Sequence, residues 1–469
     1  MFRGGADKGI CMNSIVVQSP RLASKPAPGR QPAVAVSTMG CKVNTFESEL
    51  VMQKLSAQHY RRVEQVEDAD IYLINTCTVT NEADRQARQQ VRRAIRANPD
   101  AWVVVTGCYA QIDPQACANI PGVDLVVGNS RKLDIADLVA PMIAGELPPV
   151  MVSDIDKEIS LPDQLVSGFE GRTRAFVQIQ QGCDQGCTFC VIHIARGPNR
   201  SFSPALIKRQ VGRLVMNGYA EIVICGVDIG SYGSDFESDF DLPELISELC
   251  RIEGDFRLRL SSIDPMHISD SLIQVMAEND KVCPQLHLSM QSGNTLILKR
   301  MKRRATREVL YQRIDALRSA VPELVLSADI MVGFPTEEDE HFEQTLDAIH
   351  GLKIPFPHVF SYSPRPGTPA ARIPRQVPHT IRKTRAALIR QAGQEVWTEV
   401  AKDLVGRELR VLWENTGGSE DGPVIGRAAN YYKVHLKSAE TSVPATAGTW
   451  QNVEITGVAT DFLIARSLG

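Results

Sequence analysis

Residues 181–201 read QGCDQGCTFCVIHIARGPNRS. The stretch places Cys183, Cys187 and Cys190 in a C-x3-C-x2-C spacing, with Gly182 and Gly186 between and before them. Glycines at such points let the backbone turn tightly around a bound object. Thiolate is a soft ligand that suits zinc or an iron–sulfur cluster. Structural zinc normally takes four ligands, and no fourth Cys or His stands nearby in a finger-like spacing. A 4Fe–4S cluster held by three cysteines leaves one iron open to a small molecule. The alternative is three free cysteines gathered by chance, in a chain unsuited to disulfides.

Working outward, the whole chain has the apolar and charged fractions of a soluble globular protein. Its 469 residues exceed one ordinary core, so two or three domains are expected. A net charge of −4 does not announce a nucleic-acid binder; any RNA affinity must come from local basic patches. Eleven cysteines spread over this length lack the density of a secreted disulfide scaffold, and point to a reducing compartment and metal use. No apolar run reaches the ~20 residues a membrane helix needs, and residues 1–31 lack a continuous apolar signal core. A loose tail over 1–31 and a cytoplasmic location are the expectation.

Upstream, three short apolar runs each end at a cysteine. Ala33–Ser37 leads to Cys41, Ile71–Asn75 to Cys77, and Trp102–Thr106 to Cys108. Helical patterns alternate with these strands, with a helix expected around Glu49–Gln58, which argues for a parallel α/β domain. In open α/β sheets the carboxyl ends of the strands line the ligand crevice. Cys41, Cys77 and Cys108 therefore either converge on a second metal site or are ordinary small residues at strand ends. Cys11, Cys117, Cys225, Cys250 and Cys283 share no such setting and read as packing residues or free thiols. After Cys77, Asn81 is a plausible N-cap. Ala87, Val91 and Ile95 make one apolar face of the following helix, while Arg85, Arg88, Arg92 and Arg96 make another stripe. That stripe reads as a solvated face or as a grip on an RNA backbone.

Residues 145–170 have mixed composition with scattered prolines and read as a linker. Strands are then expected at Ala175–Gln180, Glu221–Cys225, Arg257–Ser261, Gln285–Met290, Leu324–Met331 and His358–Ser361, with helical patterns such as Pro204–Met216 and Phe342–Leu352 between them. Six βα units imply an open or partial barrel with its chemistry at the carboxyl ends of the strands. The Cys183 loop, GVDIGSYG, SSIDP, LSMQSG, IMVGFP and SYSPRPGT all fall there. Two basic clusters, LKRMKRR at Leu298–Arg304 and the run Arg375, Arg382, Lys383, Arg385, read as solvated helix faces or as anion-seeking patches. From about Leu404 short strands at Glu408–Trp413, Ala428–Leu436 and Val453–Arg466 suggest a small antiparallel barrel. There Tyr431, Tyr432 and Lys433 place aromatics beside basic groups, as base-stacking surfaces do; the plain reading of the tyrosines is barrel core.

Taken together, these stretches resemble the radical S-adenosylmethionine (SAM) methylthiotransferase family over roughly Pro32 to the C-terminus. MGCKVNTFESE, NTCTVTNEADRQARQQVRR and GVDIGSYG look like the branch that modifies N6-threonylcarbamoyladenosine beside the tRNA anticodon. The isopentenyladenosine branch typically has GCQMN at the first cysteine, and the ribosomal-protein branch GCPKN. One departure is visible: the family often has Pro-Tyr where His193-Ile194 precede Ala195-Arg196-Gly197.

The resemblance implies an α/β chain of three parts: an N-terminal methylthiotransferase domain (32–144), a linker (145–170), a partial (β/α)6 radical SAM barrel (171–402) and a TRAM barrel (403–469). It implies two 4Fe–4S clusters, one on Cys183, Cys187 and Cys190 that binds SAM, the other an auxiliary cluster on Cys41, Cys77 and Cys108 that carries or delivers sulfur. The product would be the methylthio group at C2 of the adenosine at position 37. The resemblance also offers Glu221, Ser289, Gln291 and Gly333 near SAM, and Arg85, Arg88, Arg92, Tyr431, Tyr432 and Lys433 near RNA. No protein side chain is singled out as catalytic. Expected partners are the tRNA anticodon stem-loop, an electron donor such as flavodoxin or ferredoxin, and a sulfur source, with no membrane and a monomeric chain. The alternatives are the isopentenyladenosine tRNA or ribosomal-protein aspartate substrates, and a non-catalytic iron–sulfur RNA-binding protein.

Overall fold

The computed structural model describes residues 30–157, 161, 163, 165–415, 424–436 and 446–468. Cys11 and nearly all of the expected tail lie outside the described residues.

The first sheet is built from continuous apolar runs, as expected of strands covered on both faces. Its strands are β1 (Ala33–Thr38), β2 (Arg61–Val63), β3 (Ile71–Thr76), β4 (Trp102–Gly107), β5 (Leu125–Val127) and β6 (Val150–Met151). All are parallel, in the order β2-β1-β3-β4-β5-β6. Alternate side chains feed two cores. Ile71 and Leu73 pack with Val51 and Leu55 of the Lys42–Ala57 helix; Tyr72 and Ile74 pack with Ala87 and Val91 of the Asn81–Ala97 helix. Three sequence expectations shift here. The first helix begins at Lys42, directly after Cys41, rather than near Glu49. Thr80, not Asn81, caps the next helix, accepting from the Ala83 N–H at 3.1 Å. Val150–Met151 adds a strand to the sheet, so the expected linker starts inside it.

The central strands are β7 (Arg174–Gln178), β10 (Glu221–Cys225), β11 (Arg257–Leu260), β12 (Ser262–Ile263), β13 (Gln285–Gln291), β14 (Val325–Val332) and β15 (Phe356–Ser361), with β8 (Gln180–Gln181) and β9 (Arg200–Ser201) inserted after β7. They form two parallel sheets, β11-β10-β7 and β12-β13-β14-β15. Only Ser261 separates β11 from β12, so the two sheets continue as one open arc of six strand positions. The Pro204–Met216 helix falls where its periodicity places it, with Ser203 as cap and proline at its first position. The largest core lies between this arc and its outer helices.

The last strands close into a small barrel, β16 (Glu408–Asn415), β17 (Val424–Ala428), β18 (Lys433–Leu436), β20 (Leu463–Ser467) and β19 (Trp450–Val458). Each of the two longer expected strands is in fact a pair: Ala428–Leu436 contains a turn at 429–432, and Val453–Arg466 contains the turn between β19 and β20. The His379–Lys402 helix, which the basic cluster concealed, leads into this barrel and buries Trp397 in its core.

Candidate active site: two cysteine triads joined by a buried arginine

The first triad is assembled by sheet order. Cys41, Cys77 and Cys108 directly follow the loop or end of β1, β3 and β4, which are neighbours in the sheet. The chain leaves β1 for β2 on one side and returns to β3 on the other, so Cys41 and Cys77 flank a topological switch point, where such sheets bind ligands. Gly40 (φ +92°) makes the approach possible: a Cβ there would stand 2.7 Å from Cys77 Cβ and 2.9 Å from its sulfur. Burial pushes the Cys77 thiol up to about 12, and the nearby Cys108 and Cys41 add to the shift.

The second triad is pinched into one loop. β8 and β9 pair antiparallel, Gln180 with Ser201 and Gln181 with Arg200, and hold the base of residues 182–199. Gly182 (φ +75°) has no space for a side chain, since a Cβ would lie 1.8 Å from the Pro198 carbonyl oxygen. Burial pushes Cys183 up to about 12, with Asp228, Cys190 and Cys187 contributing; Cys190 rises to about 11. Around the loop, Gln185 Nε2–H donates to Asp228 and Asp264 at 3.1 Å each. Arg303 pairs with Asp264 at 2.9 Å, faces Cys187 Sγ at 3.8 Å and donates to the Ser289 carbonyl at 2.5 Å.

Arg196, from the second loop, connects the two. It is 1% exposed. Its Nε–H donates to Cys108 Sγ at 3.3 Å; its terminal nitrogens reach Glu47 at 2.7 and 3.0 Å, Gln181 at 2.7 Å and Asn44 at 2.6 Å. Lys132 meets Glu47 at 2.5 Å from the other side. Burial alone would push the Glu47 carboxyl up; Arg196 and Lys132 overcome it and hold the carboxyl at about 2. A second clasp lies at Arg365 in the loop after β15. It donates to Thr78 at 2.7 Å and to Asp84 at 2.6 Å, and it also bonds Asn81. These hubs escaped the sequence reading. Arg196 stands 149 residues from Glu47, and the only local signal was its place inside the cysteine stretch.

The donor sets fit iron–sulfur clusters. Each triad offers three sulfurs, and Cys41, Cys77, Cys108, Cys183, Cys187 and Cys190 are all free thiols. Arg196 at 3.3 Å and Asn129 Nδ2 at 3.8 Å aim N–H groups at Cys108, and the Ile192 N–H stands 3.3 Å from Cys190, as thiolate ligands require.

The other expected residues divide. Ser289 is brought to the second triad through Arg303. Gln291 ends β13 in the left-handed region (φ +65°). Gly333 is enclosed: its N–H donates to Glu337 at 2.9 Å, and a Cβ would meet Arg382 Cγ at 2.1 Å. Glu221 is corrected outright. It opens β10, at the strand end opposite the cysteines, fully buried between Arg257 (2.6 Å) and Arg259 (2.8 Å). Those arginines donate onward to the carbonyls of Arg427 and Ala429 at 2.9 Å each, so Glu221 anchors the C-terminal barrel. Among the RNA candidates, Arg85 pairs with Glu82 at 2.6 Å and Arg88 donates to the Tyr109 hydroxyl at 2.9 Å, while Arg92 is exposed. Tyr432 is fully buried in the barrel core, out of reach of a base; Tyr431 is half-buried between Arg259, Arg427 and Phe356; Lys433 is exposed.

Comparison with known proteins agrees with this architecture. Residues 33–128 match the uncharacterized protein family UPF0004, and residues 177–349 match the radical SAM superfamily. The threonylcarbamoyladenosine tRNA methylthiotransferase MtaB of Bacillus subtilis is 40% identical, over 87% of this chain and 91% of its own. The tRNA-2-methylthio-N6-dimethylallyladenosine synthase of Clostridium novyi is 31% identical, over 90% of this chain and 93% of its own. Among solved structures, the radical SAM methyltransferase TsrM from Kitasatospora setae shares the fold with a TM-score of 0.53 at 14% identity, covering 73% of this chain and 75% of its own. With two cysteine triads tied through Arg196 and relatives of this identity and coverage, the chain belongs to the radical SAM methylthiotransferases.

Proposed function

We propose that this enzyme methylthiolates C2 of N6-threonylcarbamoyladenosine at position 37 of tRNA. The observation that carries the reading is the Arg196 bridge, which holds the Cys41/Cys77/Cys108 triad against the loop of the Cys183/Cys187/Cys190 triad. The B. subtilis relative, whose name states this substrate, supports it. In this reading Cys183, Cys187 and Cys190 hold the SAM-binding 4Fe–4S cluster, and Cys41, Cys77 and Cys108 the auxiliary one. When bound, the two clusters supply reductive SAM cleavage and sulfur delivery.

The chain's own residues set the geometry. Arg196, neutralised by Glu47, donates to Cys108 and ties the spacing of the two loops. Arg365 repeats that tie beyond the Asn81 helix start. Asp264, Gln185 and Arg303 order the second loop from the side of β12 and β13. The same reading divides the chain into a methylthiotransferase domain reaching Met151, a radical SAM domain and a TRAM domain from about residue 403. Arg92 and Lys433 are exposed cations suited to the tRNA backbone. A flavodoxin- or ferredoxin-like donor, a sulfur source and a cytoplasmic site complete the proposal; no helix among the described residues is long and apolar enough to cross a membrane. Nucleoside mass spectrometry of tRNA from a deletion strain tests it. Loss of the 2-methylthio form of threonylcarbamoyladenosine, with the isopentenyl counterpart intact, is expected; the reverse pattern refutes the substrate.

A further inference from the structure

The inner wall of the central arc holds a polar cluster that neither triad uses. Along β13 and β14 alternate residues face the outer helices, and Leu286, Leu288, Ala328 and Ile330 there are fully buried. The intervening residues face the lumen. At one level these are His287, Asp329 and His358, whose side chains are 12%, 23% and 48% exposed. Their ligating atoms lie within 4.8 Å of one another. The lumen is therefore open at this level, and its wall is polar.

Hydrogen bonds hold the first histidine at both ring nitrogens. Gln285 Nε2–H donates to Ser327 Oγ at 2.9 Å, and Ser327 Oγ is hydrogen-bonded to His287 Nδ1, also at 2.9 Å. His287 Nε2 stands 3.1 Å from Asp329. His358 Nδ1 stands 3.7 Å from the same carboxylate, beyond a direct hydrogen bond. Lys42 is close enough to His358 for its charge to bear on the imidazole, alongside burial and His287.

The cluster has a link to each triad. His287 is two residues along β13 from Ser289, whose carbonyl shares Arg303 with Cys187; at ~3.3 Å per residue that is roughly 7 Å. Lys42 adjoins Cys41.

We propose that His287, Asp329 and His358, with Lys42, form the pocket for the N6 substituent of the target adenosine and select a polar, anionic substituent over an apolar one. The inference rests on the threonylcarbamoyladenosine reading above. A threonylcarbamoyl group carries urea N–H donors, a hydroxyl and a carboxylate. Asp329 accepts from the urea, and His358 and Lys42 meet the carboxylate. An isopentenyl chain satisfies none of these, and would take water from Asp329 and His358 without offering either a hydrogen bond in return. Sites built to hydrogen-bond reject analogues that lack the bond by large factors. The Lys42 ammonium also opposes a divalent cation among the three side chains.

The test uses the reconstituted full-length enzyme, as wild type, Asp329→Asn and His358→Phe. Anticodon stem-loops carrying threonylcarbamoyladenosine, isopentenyladenosine or plain adenosine at position 37 are titrated by fluorescence anisotropy, with turnover measured in parallel. Both variants should lose about tenfold or more of the wild-type preference for the threonylcarbamoyl stem-loop, read as the ratio of its affinity to that of the plain-adenosine stem-loop. An unchanged preference, or equal losses on all three RNAs, overturns the inference alone. So does one equivalent of zinc, titrated as zinc chloride, that binds the wild type and not His358→Phe. Failure of the wild type to turn over the threonylcarbamoyl stem-loop overturns the functional reading, and the pocket with it.

Discussion

The two cysteine triads reach similar chemistry by opposite routes. Cys183, Cys187 and Cys190 lie within eight residues, on a loop closed by the β8–β9 pair and by a glycine that admits no side chain. Cys41, Cys77 and Cys108 are spaced by 36 and 31 residues and meet only because β1, β3 and β4 are adjacent. A local triad depends on its own turn. A distributed one depends on a whole sheet and on what is packed against it, here Arg196 from the other triad's loop. The second arrangement should therefore be the easier to lose.

Cysteine substitution should split the triads most widely. Cys187→Ala is expected to abolish SAM cleavage and product together, whereas Cys77→Ala should retain SAM cleavage and stop methylthiolation. Iron should fall from about eight to about four per chain in each case. Product from Cys77→Ala would remove the proposed role of the first triad.

Arg196→Met probes the bridge itself. It leaves Glu47 and Lys132 buried with one partner missing, a loss of about 3–5 kcal/mol for a buried ionic network. Thermal unfolding should show that destabilisation, and iron should drop from the distributed triad first. Equal loss from both triads would break the contrast. Glu221→Gln is the matched control at the opposite strand ends. It leaves Arg257 and Arg259 buried without their countercharge, so it should loosen the C-terminal barrel by a comparable amount, without changing the KM for SAM. A raised KM would restore Glu221 to the SAM site.

Acid should act on the same bridge. The folded Glu47 carboxyl, at about 2, lies below its ordinary 4.5, so its stabilisation is complete above about 4.5 and is lost as pH falls toward 2. Stability from this group should be flat between pH 8 and 5, and the gap between wild type and Glu47→Gln should close below pH 4.5. A gap as wide at pH 2 as at pH 7 would contradict the assignment. The smallest effect belongs to the exposed arginines. Arg92→Glu with Arg96→Glu should weaken tRNA binding and lower its salt slope by about one unit per lost phosphate contact. An unchanged slope would move the RNA surface elsewhere.

Much of this molecule was legible in its residues. The C-x3-C-x2-C spacing and its glycines are local, so a short window contains all that shapes that loop. The apolar runs before Cys41, Cys77 and Cys108 located three strands, and the rule about carboxyl ends offered convergence of their cysteines as one of two readings. Helix onset was less legible: the first turns of the Lys42 helix bury polar Asn44, Glu47 and Ser48 beside Val43 and Phe46, so no clean apolar stripe marks them. The turn at 429–432 was hidden by its own tyrosine pair, and Tyr432 looked available only because local composition does not report burial.

What the sequence by itself determined was therefore the α/β alternation and the family, each written in short-range spacing. What only the tertiary structure decided was partnership. Glu221 proved to serve the barrel, Arg196 to link the triads, and His287, Asp329 and His358 to share one lumen. The physical reason is that a buried charge is defined by the opposite charges around it, and here those come from segments 36 to 149 residues away.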